Sequence, residues 1–399
     1  MNNIMDYLDW RGDLSFEVDP MNEVDNLILS TLTYIEYDGL VPFEEQGSRV
    51  KLSDIAQKAY EAIDFSSPRC KNPFFEHIPD LLLKAASTRR FGSLILSFYI
   101  NRINVDSTEQ FSAIVFSLKE KLHYIAFRGT DDNLIGWKED FMMSFLDEVQ
   151  AQRDAVEYTE FVLQYLEGNI YLGGHSKGGN LAVYVGAMLV NSQDRMIAIY
   201  NNDGPGFQEK FLESQGYHRI VPRIHTILPK SSVVGLLMEH LEDYVVVNSN
   251  QKGIMQHNAM SWEVLGNHFV YMPGVKKSSI FLNQALRQWL SSITVEERAS
   301  FVEELFDIIN AAGLDTISSI TAEKRLAVNA MIRAYKSMSP ETKQFMKKLI
   351  YKFIEEGQKV LKQSIGEELN INKPTVEGAV VKRRGKYYIR LNSQDEMIQ

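Results

Sequence analysis

A serine flanked by glycines is the residue of this chain best placed to do chemistry. Gly174, Ser176 and Gly178 fit the pattern G-x-S-x-G. In that pattern the serine is a nucleophile on a strained turn between a strand and a helix, where small neighbours let the backbone pass without a Cβ clash. The sequence therefore predicts acyl transfer through Ser176. A structural glycine-rich turn is the alternative interpretation.

The residues on either side of the motif predict the two elements that would hold Ser176. An apolar run at 170–172 precedes the turn, and apolar residues at helical spacing follow it through 181–188. A strand, a tight turn and a helix are therefore expected in this order, which is the context that the nucleophile interpretation requires.

A candidate for the oxyanion hole ends the third of three predicted strands. The β-rich runs at 94–100, 111–118 and 123–128 are separated by polar turns and predict consecutive strands of a central sheet. The last run ends in Phe-Arg-Gly-Thr, and acyl transfer needs donors aimed at the developing oxyanion. Thr130 could supply a backbone N–H and a hydroxyl from this loop. Its alternative role is to cap the next helix.

Several motifs together resemble a known family. The pattern F-R-G-T, then W-x-x-D, then G-H-S-x-G-G resembles the class 3 (fungal-type) lipases of the α/β-hydrolase fold. The chain more closely resembles a bacterial family of lipase-like proteins that share G-G-H-S-K-G-G-N-L-A, N-D-G-P-G-F and a Q-H followed by S-W. The matching residues are 127–130, Trp137, Asp140, 173–182, 202–207, 256–257 and 261–262.

This resemblance covers about residues 90–270. It implies a carboxylic ester hydrolase with Ser176 as nucleophile. It also implies an oxyanion hole formed by Thr130 and the backbone N–H of Lys177. A serine hydrolase of this kind requires no cofactor.

The base is expected among the histidines that follow the serine, because a serine hydroxyl needs a histidine to take its proton. The chain order in α/β-hydrolases is serine, acid, histidine. His257 follows the predicted strand 244–249 by a loop, which is where the final strand of such a sheet delivers its base; His268 is the reserve. The other candidates are predicted to be structural, with His225 in an apolar strand and His240 in an apparent helix at 233–241.

The acid is not where the resemblance would place it. Class 3 lipases have an Asp just after the strand that here spans 224–228, but Pro-Lys-Ser-Ser follows it. Catalytic groups gather at the carboxyl ends of parallel strands. Asp203 ends the run 196–201, whereas Asp243 begins its strand, so Asp203 is the favoured acid. The alternatives are a turn aspartate that caps Gly206 and Phe207, a catalytic dyad, or a degenerate site.

Lys177 is a second departure, since class 3 lipases usually carry an apolar residue at this position. The oxyanion contact uses the backbone N–H, which any residue but proline can donate. The lysine side chain has three open roles: it could favour an anionic substrate, pair with a nearby carboxylate, or remain solvated at the start of the helix.

We expect an α/β-hydrolase fold with a mostly parallel central sheet. Residues 1–90 are predicted as a helical segment, 91–280 as the hydrolase core, and 281–399 as an appended helical region that ends in a β-hairpin at 379–390. N-terminal helices are expected at 22–37, at 52–63 with Ser53 as cap, and at 81–86. Whether residues 131–150 form a mobile lid is left open.

Charge and composition narrow the range of possible binding partners. A net charge of −10 over 399 residues argues against nucleic acid as the main partner. From Lys336 onward, however, 13 Lys and Arg stand against 8 Asp and Glu. Such asymmetry can mark a peripheral membrane or protein contact, and a solvated face is the commoner meaning. The oligomeric state is not indicated.

Composition also limits the possible cellular location and functional class of the protein. The 45% of hydrophobic residues can bury a sizeable core, and the single Cys70 rules out an intrachain disulfide. Neither a signal-like start nor an apolar run of about 18 residues is evident, so the cytoplasm is the simplest location. The expected substrate is a small-molecule or lipid ester. A thioesterase, amidase or acyltransferase, or a catalytically degenerate partner-binding module, are the alternatives.

Overall fold

A central β-sheet organises the protein, and its first eight strands lie side by side in chain order. The computed structural model describes residues 2–43, 49–312, 316, 324–369, 380–383 and 386–389. The strands are β1 (Val50–Lys51), β2 (Ile95–Asn104), β3 (Glu109–Lys119), β4 (Leu122–Phe127), β5 (Asn169–His175), β6 (Met196–Asn202), β7 (Ile224–Pro229), β8 (Tyr244–Val247), β9 (Val264–Leu265), β10 (His268–Phe269), β11 (Tyr271–Met272), β12 (Val380–Arg383) and β13 (Lys386–Ile389).

The centre of this sheet is parallel. Strands β4 to β8 pair in parallel with their neighbours, while β1, β2, β3 and β4 are joined by antiparallel pairs. Strands β11 and β13 add antiparallel to β8. Because parallel strands end at the same edge, the loops after β4, β5, β6 and β8 can converge on one site.

Helices cover both faces of the sheet, as a parallel sheet requires. The helices are α1 (Ile4–Arg11), α2 (Glu23–Leu32), α3 (Leu52–Glu61), α4 (Ile78–Ser87), α5 (Arg89–Gly92), α6 (Leu134–Met142), α7 (Gln150–Leu163), α8 (Lys177–Met188), α9 (Glu209–Leu212), α10 (Gln215–Ile220), α11 (Lys277–Ser292), α12 (Val295–Ala311), α13 (Lys324–Ser337) and α14 (Pro340–Leu369).

Two large apolar clusters form the core, one on each face. The first joins α1 to α4 to one side of the sheet, through residues such as Leu27, Leu81 and Tyr124. The second joins α7, α8 and α10 to the other side, through residues such as Val162 and Val183. The N-terminal helices are thus part of the packed core.

The predicted α/β-hydrolase fold with a parallel sheet centre is confirmed, and the strands were predicted more accurately than the helices. The helix expected at 22–37 begins after its cap Asn22 but ends at Leu32. The Thr31 and Thr33 hydroxyls donate to backbone carbonyls at this end, which favours a turn over a further helical residue. The expected Ser53 cap is wrong, because Lys51 leads from β1 directly into α3 and Ser53 lies inside the helix.

The segment after β7 also differs from the prediction. Residues 233–241 do not form a helix of that length, since only Val234–Leu236 makes a short 3-10 turn. His225 is not a core histidine: it lies exposed on β7, with its ring stacked on Tyr200 at a centroid distance of 5.1 Å. Successive side chains of a strand point to opposite faces of the sheet, so an exposed position can lie within an apolar run of sequence.

Between β11 and β12 the described residues are mainly helical, as the sequence predicts. Of the four helices described there, α12 and α13 pack against α6 through a cluster that contains Leu134, Val302, Phe306 and Ala327. The strands of the predicted hairpin are present as β12 and β13, while residues 379, 384, 385 and 390 of it lie outside the described part. The domain boundaries and the membrane or partner contact stay predictions. Among the described helices, none is long and apolar enough to cross a membrane.

Candidate active site

Ser176 lies on the tight turn between β5 and α8. Its backbone has φ 57° and ψ −132°, a conformation that residues other than glycine rarely adopt. The turn closes because its flanks are glycines: a Cβ on Gly174 would lie 2.3 Å from the backbone of Gly178, and a Cβ on Gly178 would lie 2.1 Å from the carbonyl oxygen of Phe127. This is the geometry of a nucleophile turn, which pushes a serine hydroxyl out of the backbone.

His257 and Asp203 are brought together although 54 positions separate them in sequence. Asp203 follows β6 and His257 ends a short 3-10 turn, Gly253–His257, after β8. The Nδ1 atom of His257 lies 2.6 Å from Oδ2 of Asp203. The carboxylate side chain is fully buried, and the imidazole is 15% exposed. An ionised carboxylate only accepts, so Nδ1 carries the proton and Nε2 is left as the acceptor.

The other carboxylate oxygen of Asp203, Oδ1, accepts two further hydrogen bonds. The Ser232 hydroxyl donates to Oδ1 at 2.5 Å and the Gly235 N–H donates at 3.2 Å. Ser232 belongs to the Pro-Lys-Ser-Ser segment that lacks the carboxylate expected from lipases, so this segment supports the acid of the neighbouring strand. Asp203 does not cap Gly206 or Phe207, whose N–H groups donate to the carbonyls of Leu237 and Glu239.

The loop that carries His257 is fixed by its sequence neighbours. Oε1 of the Gln256 side chain accepts from the Ser231 N–H at 2.6 Å, and the Gln256 carbonyl accepts from the indole of Trp262 at 2.8 Å. Trp262 is fully buried. The Q-H and S-W motifs are thus explained, because Gln256 and Trp262 hold the backbone on both sides of His257.

A second histidine, His175, braces the same loop. Its Nε2 lies 2.7 Å from the backbone oxygen of His257, and its Nδ1 lies 3.0 Å from the Tyr34 hydroxyl. A carbonyl only accepts, so Nε2–H of His175 donates to it and Nδ1 accepts from Tyr34. Burial lowers the pKa of His175 well below its ordinary value, and the neighbouring His257 lowers it further. His175 therefore stays neutral and keeps this tautomer.

The Thr130 loop lies directly against Ser176. A Cβ on Gly129 would lie 3.0 Å from the Ser176 Cβ and only 2.4 Å from the backbone oxygen of His175, so only glycine allows this approach. Thr130 does not cap α6, because Asn133 does. Its hydroxyl donates to Oδ2 of Asp140 at 2.6 Å. Burial raises the pKa of the Asp140 carboxyl to about 6, although Lys177 and the Thr130 hydroxyl lower it.

The side chain of Lys177 is buried and paired. Its Nζ lies 2.8 Å from Oε2 of Glu139 and donates to the carbonyl of Gln110 at 2.9 Å. Both Lys177 and Glu139 are 1% exposed. Of the three open roles for this lysine, the carboxylate pair is therefore correct, and the side chain is neither solvated nor directed to a substrate. Its backbone N–H belongs to the first turn of α8, where no helical carbonyl can accept it.

The remaining histidines after Ser176 lie elsewhere or have other partners. His240 pairs with Glu242 at 2.9 Å. His268 lies on β10 with its ring stacked on Tyr271. Within the described residues, no group of three or more His, Cys, Asp or Glu side chains is arranged to hold a metal ion.

Sequence reasoning missed Tyr34, His175 and Ser232. His175 is adjacent to the serine, but nothing in its type reveals that its ring turns towards His257. Tyr34 lies far away in sequence, within the predicted helix 22–37, and in the structure it follows the end of α2.

Comparison with protein families identifies one family that matches the chain. The Mbeg1-like family matches residues 85–307, more than half of the chain. The chain belongs to the Mbeg1-like family. The matched span includes Thr130, Ser176, Asp203 and His257, whereas Tyr34 lies before it. None of the curated proteins matches the chain.

Three solved lipase structures resemble part of this family member. A fungal lipase–inhibitor complex is 14% identical over 51% of this chain and 83% of its own, with a TM-score of 0.33. The Rhizomucor miehei lipase propeptide complex is 16% identical over 53% and 81%, with a TM-score of 0.34. The M37 lipase is 15% identical over 43% and 67%, with a TM-score of 0.29. The order of elements within this chain itself agrees with the α/β-hydrolase pattern of serine, acid and histidine. Ser176 follows β5, Asp203 follows β6 and His257 follows β8.

Proposed function

We propose that this protein is a serine hydrolase that cleaves carboxylic esters through an acyl-enzyme intermediate. The observation that carries the proposal is the 2.6 Å contact between His257 and the buried Asp203, delivered to the same sheet edge as the strained Ser176 turn. A histidine oriented by a buried carboxylate is what a serine hydroxyl needs to become a nucleophile. The substrate is a small-molecule or lipid ester.

In the proposed reaction, Ser176 Oγ attacks the ester carbonyl carbon while Nε2 of His257 takes the hydroxyl proton. The tetrahedral oxyanion accepts from the Lys177 N–H at the start of α8 and from the Thr130 loop. Collapse of this intermediate breaks the C–O bond, and the leaving alkoxide takes the proton from His257. Water then attacks the acyl-enzyme with His257 as base, which releases the acid and restores Ser176.

Asp140 gives the Thr130 loop a defined role in this scheme. Because the Thr130 hydroxyl donates to the Asp140 carboxylate, its single proton is engaged when Asp140 is ionised. The Thr130 backbone N–H is then the donor that the loop offers to the oxyanion. In this scheme the Thr130–Asp140 bond fixes the loop that carries this N–H.

Hydrolysis of p-nitrophenyl esters of rising chain length tests the proposal. Wild type should turn over at least one ester, and Ser176→Ala and His257→Ala should each lose about a thousandfold or more in kcat. Thioester and amide substrates in the same assay separate ester hydrolysis from the other acyl transfers. A Ser176→Ala protein as active as wild type would refute the proposal.

A further inference from the structure

The segment between the Thr130 loop and α7 borders the candidate site. It contains α6, and its Asp140 accepts from Thr130 at 2.6 Å. A segment at such a position can be a lid that opens for substrate or a fixed wall. The two differ physically, because a lid must release its contacts to open and is drawn from the less stable parts of a protein.

On the inner side, α6 is fixed by a buried carboxylate. Glu139 is fully buried, and it accepts from the Lys177 ammonium at 2.8 Å, from the Ala151 N–H at 2.8 Å and from the Gln110 N–H at 3.2 Å. Outward movement of α6 would break all three bonds at once. It would also leave the Lys177 charge next to the serine turn without its carboxylate, which is strongly unfavourable in a buried site.

On the outer side, α12 and α13 cover the same segment. Lys138 pairs with Glu303 at 2.6 Å, and the ring of Phe141 meets that of Phe306 at 6.0 Å. Four apolar side chains of the segment lie in this contact: Leu134, Trp137, Met142 and Phe145 pack with Val302, Phe306, Ile309 and Ala327. Much of the apolar surface that a lid would present to lipid is therefore used within the chain, while Phe141 keeps 44% of its surface exposed.

The carboxyl-terminal end of the segment has its own anchors. The Tyr184 hydroxyl donates to Glu148 at 2.5 Å, Gln208 donates to the Met143 carbonyl at 3.2 Å, and Lys210 pairs with Asp147. Arg298 of α12 donates to the Ser144 carbonyl at 2.9 Å. The segment is thus held from within the core, from the C-terminal helices and at its end.

We propose that residues 134–149 are a fixed wall of the active site, and that the protein hydrolyses esters dissolved as monomers without activation at a lipid–water interface. The substrate part rests on the proposed ester hydrolase function. Interfacial activation needs a cover that moves aside and exposes apolar surface to lipid, and neither feature fits a segment tied on three sides.

A cross-link tests the wall directly. The full-length protein with Cys70→Ser, Lys138→Cys and Glu303→Cys is joined by a short bismaleimide, and the two single-cysteine proteins treated alike are the controls. The linked protein should keep its rate of p-nitrophenyl butyrate hydrolysis and of fluorophosphonate labelling at Ser176 within about twofold. A loss of about tenfold or more on linking, absent from the controls, would show that the segment must move and would overturn the proposal.

Tributyrin tests the substrate class. The rate should saturate with dissolved tributyrin and show no rise as the concentration crosses the solubility limit and droplets form. A rise of about tenfold at that limit would overturn the dissolved-ester claim.

Failure of the proposed function is distinguishable from failure of the wall. If Ser176 takes no label in either form, the hydrolase proposal fails. Amide hydrogen exchange of residues 134–149 then still tests whether this segment is a fixed wall. Slow exchange that phosphatidylcholine vesicles leave unchanged supports it, and faster exchange on adding vesicles overturns it.

Discussion

Asp203 is the residue whose position best distinguishes this site from the pattern that its resemblance implies. The carboxylate follows β6 rather than β7, and Ser232 after β7 donates to it. The strand-end rule favours Asp203 over Asp243 in the sequence, because Asp243 begins its strand, and in the structure Asp243 lies exposed at the other end.

Asp203→Asn should reduce kcat by about a thousandfold or more, because an amide can stabilise the wrong His257 tautomer. Asp243→Asn is the matched control and should leave the rate unchanged. Steady-state kinetics on p-nitrophenyl butyrate measures both variants. Equal rates for Asp203→Asn and wild type would remove Asp203 from the mechanism.

His175 should make stability depend on pH. Burial lowers its pKa in the folded state below the ordinary 6.5, so the folded protein resists the proton that the unfolded chain accepts. Its neutral form therefore contributes stability above pH 6.5, and this contribution is lost as the pH falls below 6.5. Urea unfolding from pH 8 to pH 5 should show wild type losing up to about 1.4 kcal/mol per pH unit relative to His175→Gln. Parallel pH curves for the two proteins would contradict a buried neutral His175.

At the residue level, the sequence predicts positions whose chemistry has a local signature and gives no sign of contacts that are long-range. Ser176 and His257 were predicted from a motif and from chain order. Tyr34 reaches His175 across 141 positions, and no local pattern encodes such a contact. The charge of Lys177 was visible in the sequence, but its partner on α6 was not.

At the scale of elements, the Lys177–Glu139 pair joins the start of α8 to α6. Removing one partner of a buried ion pair leaves the other charge without compensation, so Glu139→Gln should lower the free energy of unfolding by about 3–5 kcal/mol. Lys177→Met with Glu139→Gln should recover part of this loss. A double-mutant cycle in urea measures the coupling, and a value below about 0.5 kcal/mol would contradict a structural role for the pair.

Elements were predictable where their apolar pattern is unambiguous. The strands that became β2 to β8 have alternating or continuous apolar runs between turns. The end of α2 and the absent helix at 233–241 depended on hydroxyl-to-backbone bonds and on tertiary contacts, which periodicity does not report.

At the scale of the whole molecule, the C-terminal helices are predicted to stabilise the wall of the site. Phe306 is 3% exposed and contacts Phe141, so Phe306→Ala should cost about 3–5 kcal/mol locally and speed the hydrogen exchange of residues 134–146. Val295→Ala on the same helix is the control, because Val295 is 50% exposed. Unchanged exchange in Phe306→Ala would mean that α12 does not hold α6.

The helical character of the C-terminal region was predictable from its periodicity, but its docking on α6 was not. Leu134, Trp137 and Met142 are apolar residues in a segment that a lipase resemblance would let move. Only their packing against Val302, Phe306 and Ala327 shows which surface they occupy.

The central claim is that Ser176 is an activated nucleophile, and labelling with a fluorophosphonate probe tests it most directly. The folded wild type should take up one probe per chain, with the adduct located by peptide mass on the fragment that contains Ser176. Ser176→Ala should take up none. A folded wild type that remains unlabelled, or a label that persists in Ser176→Ala, would contradict the account.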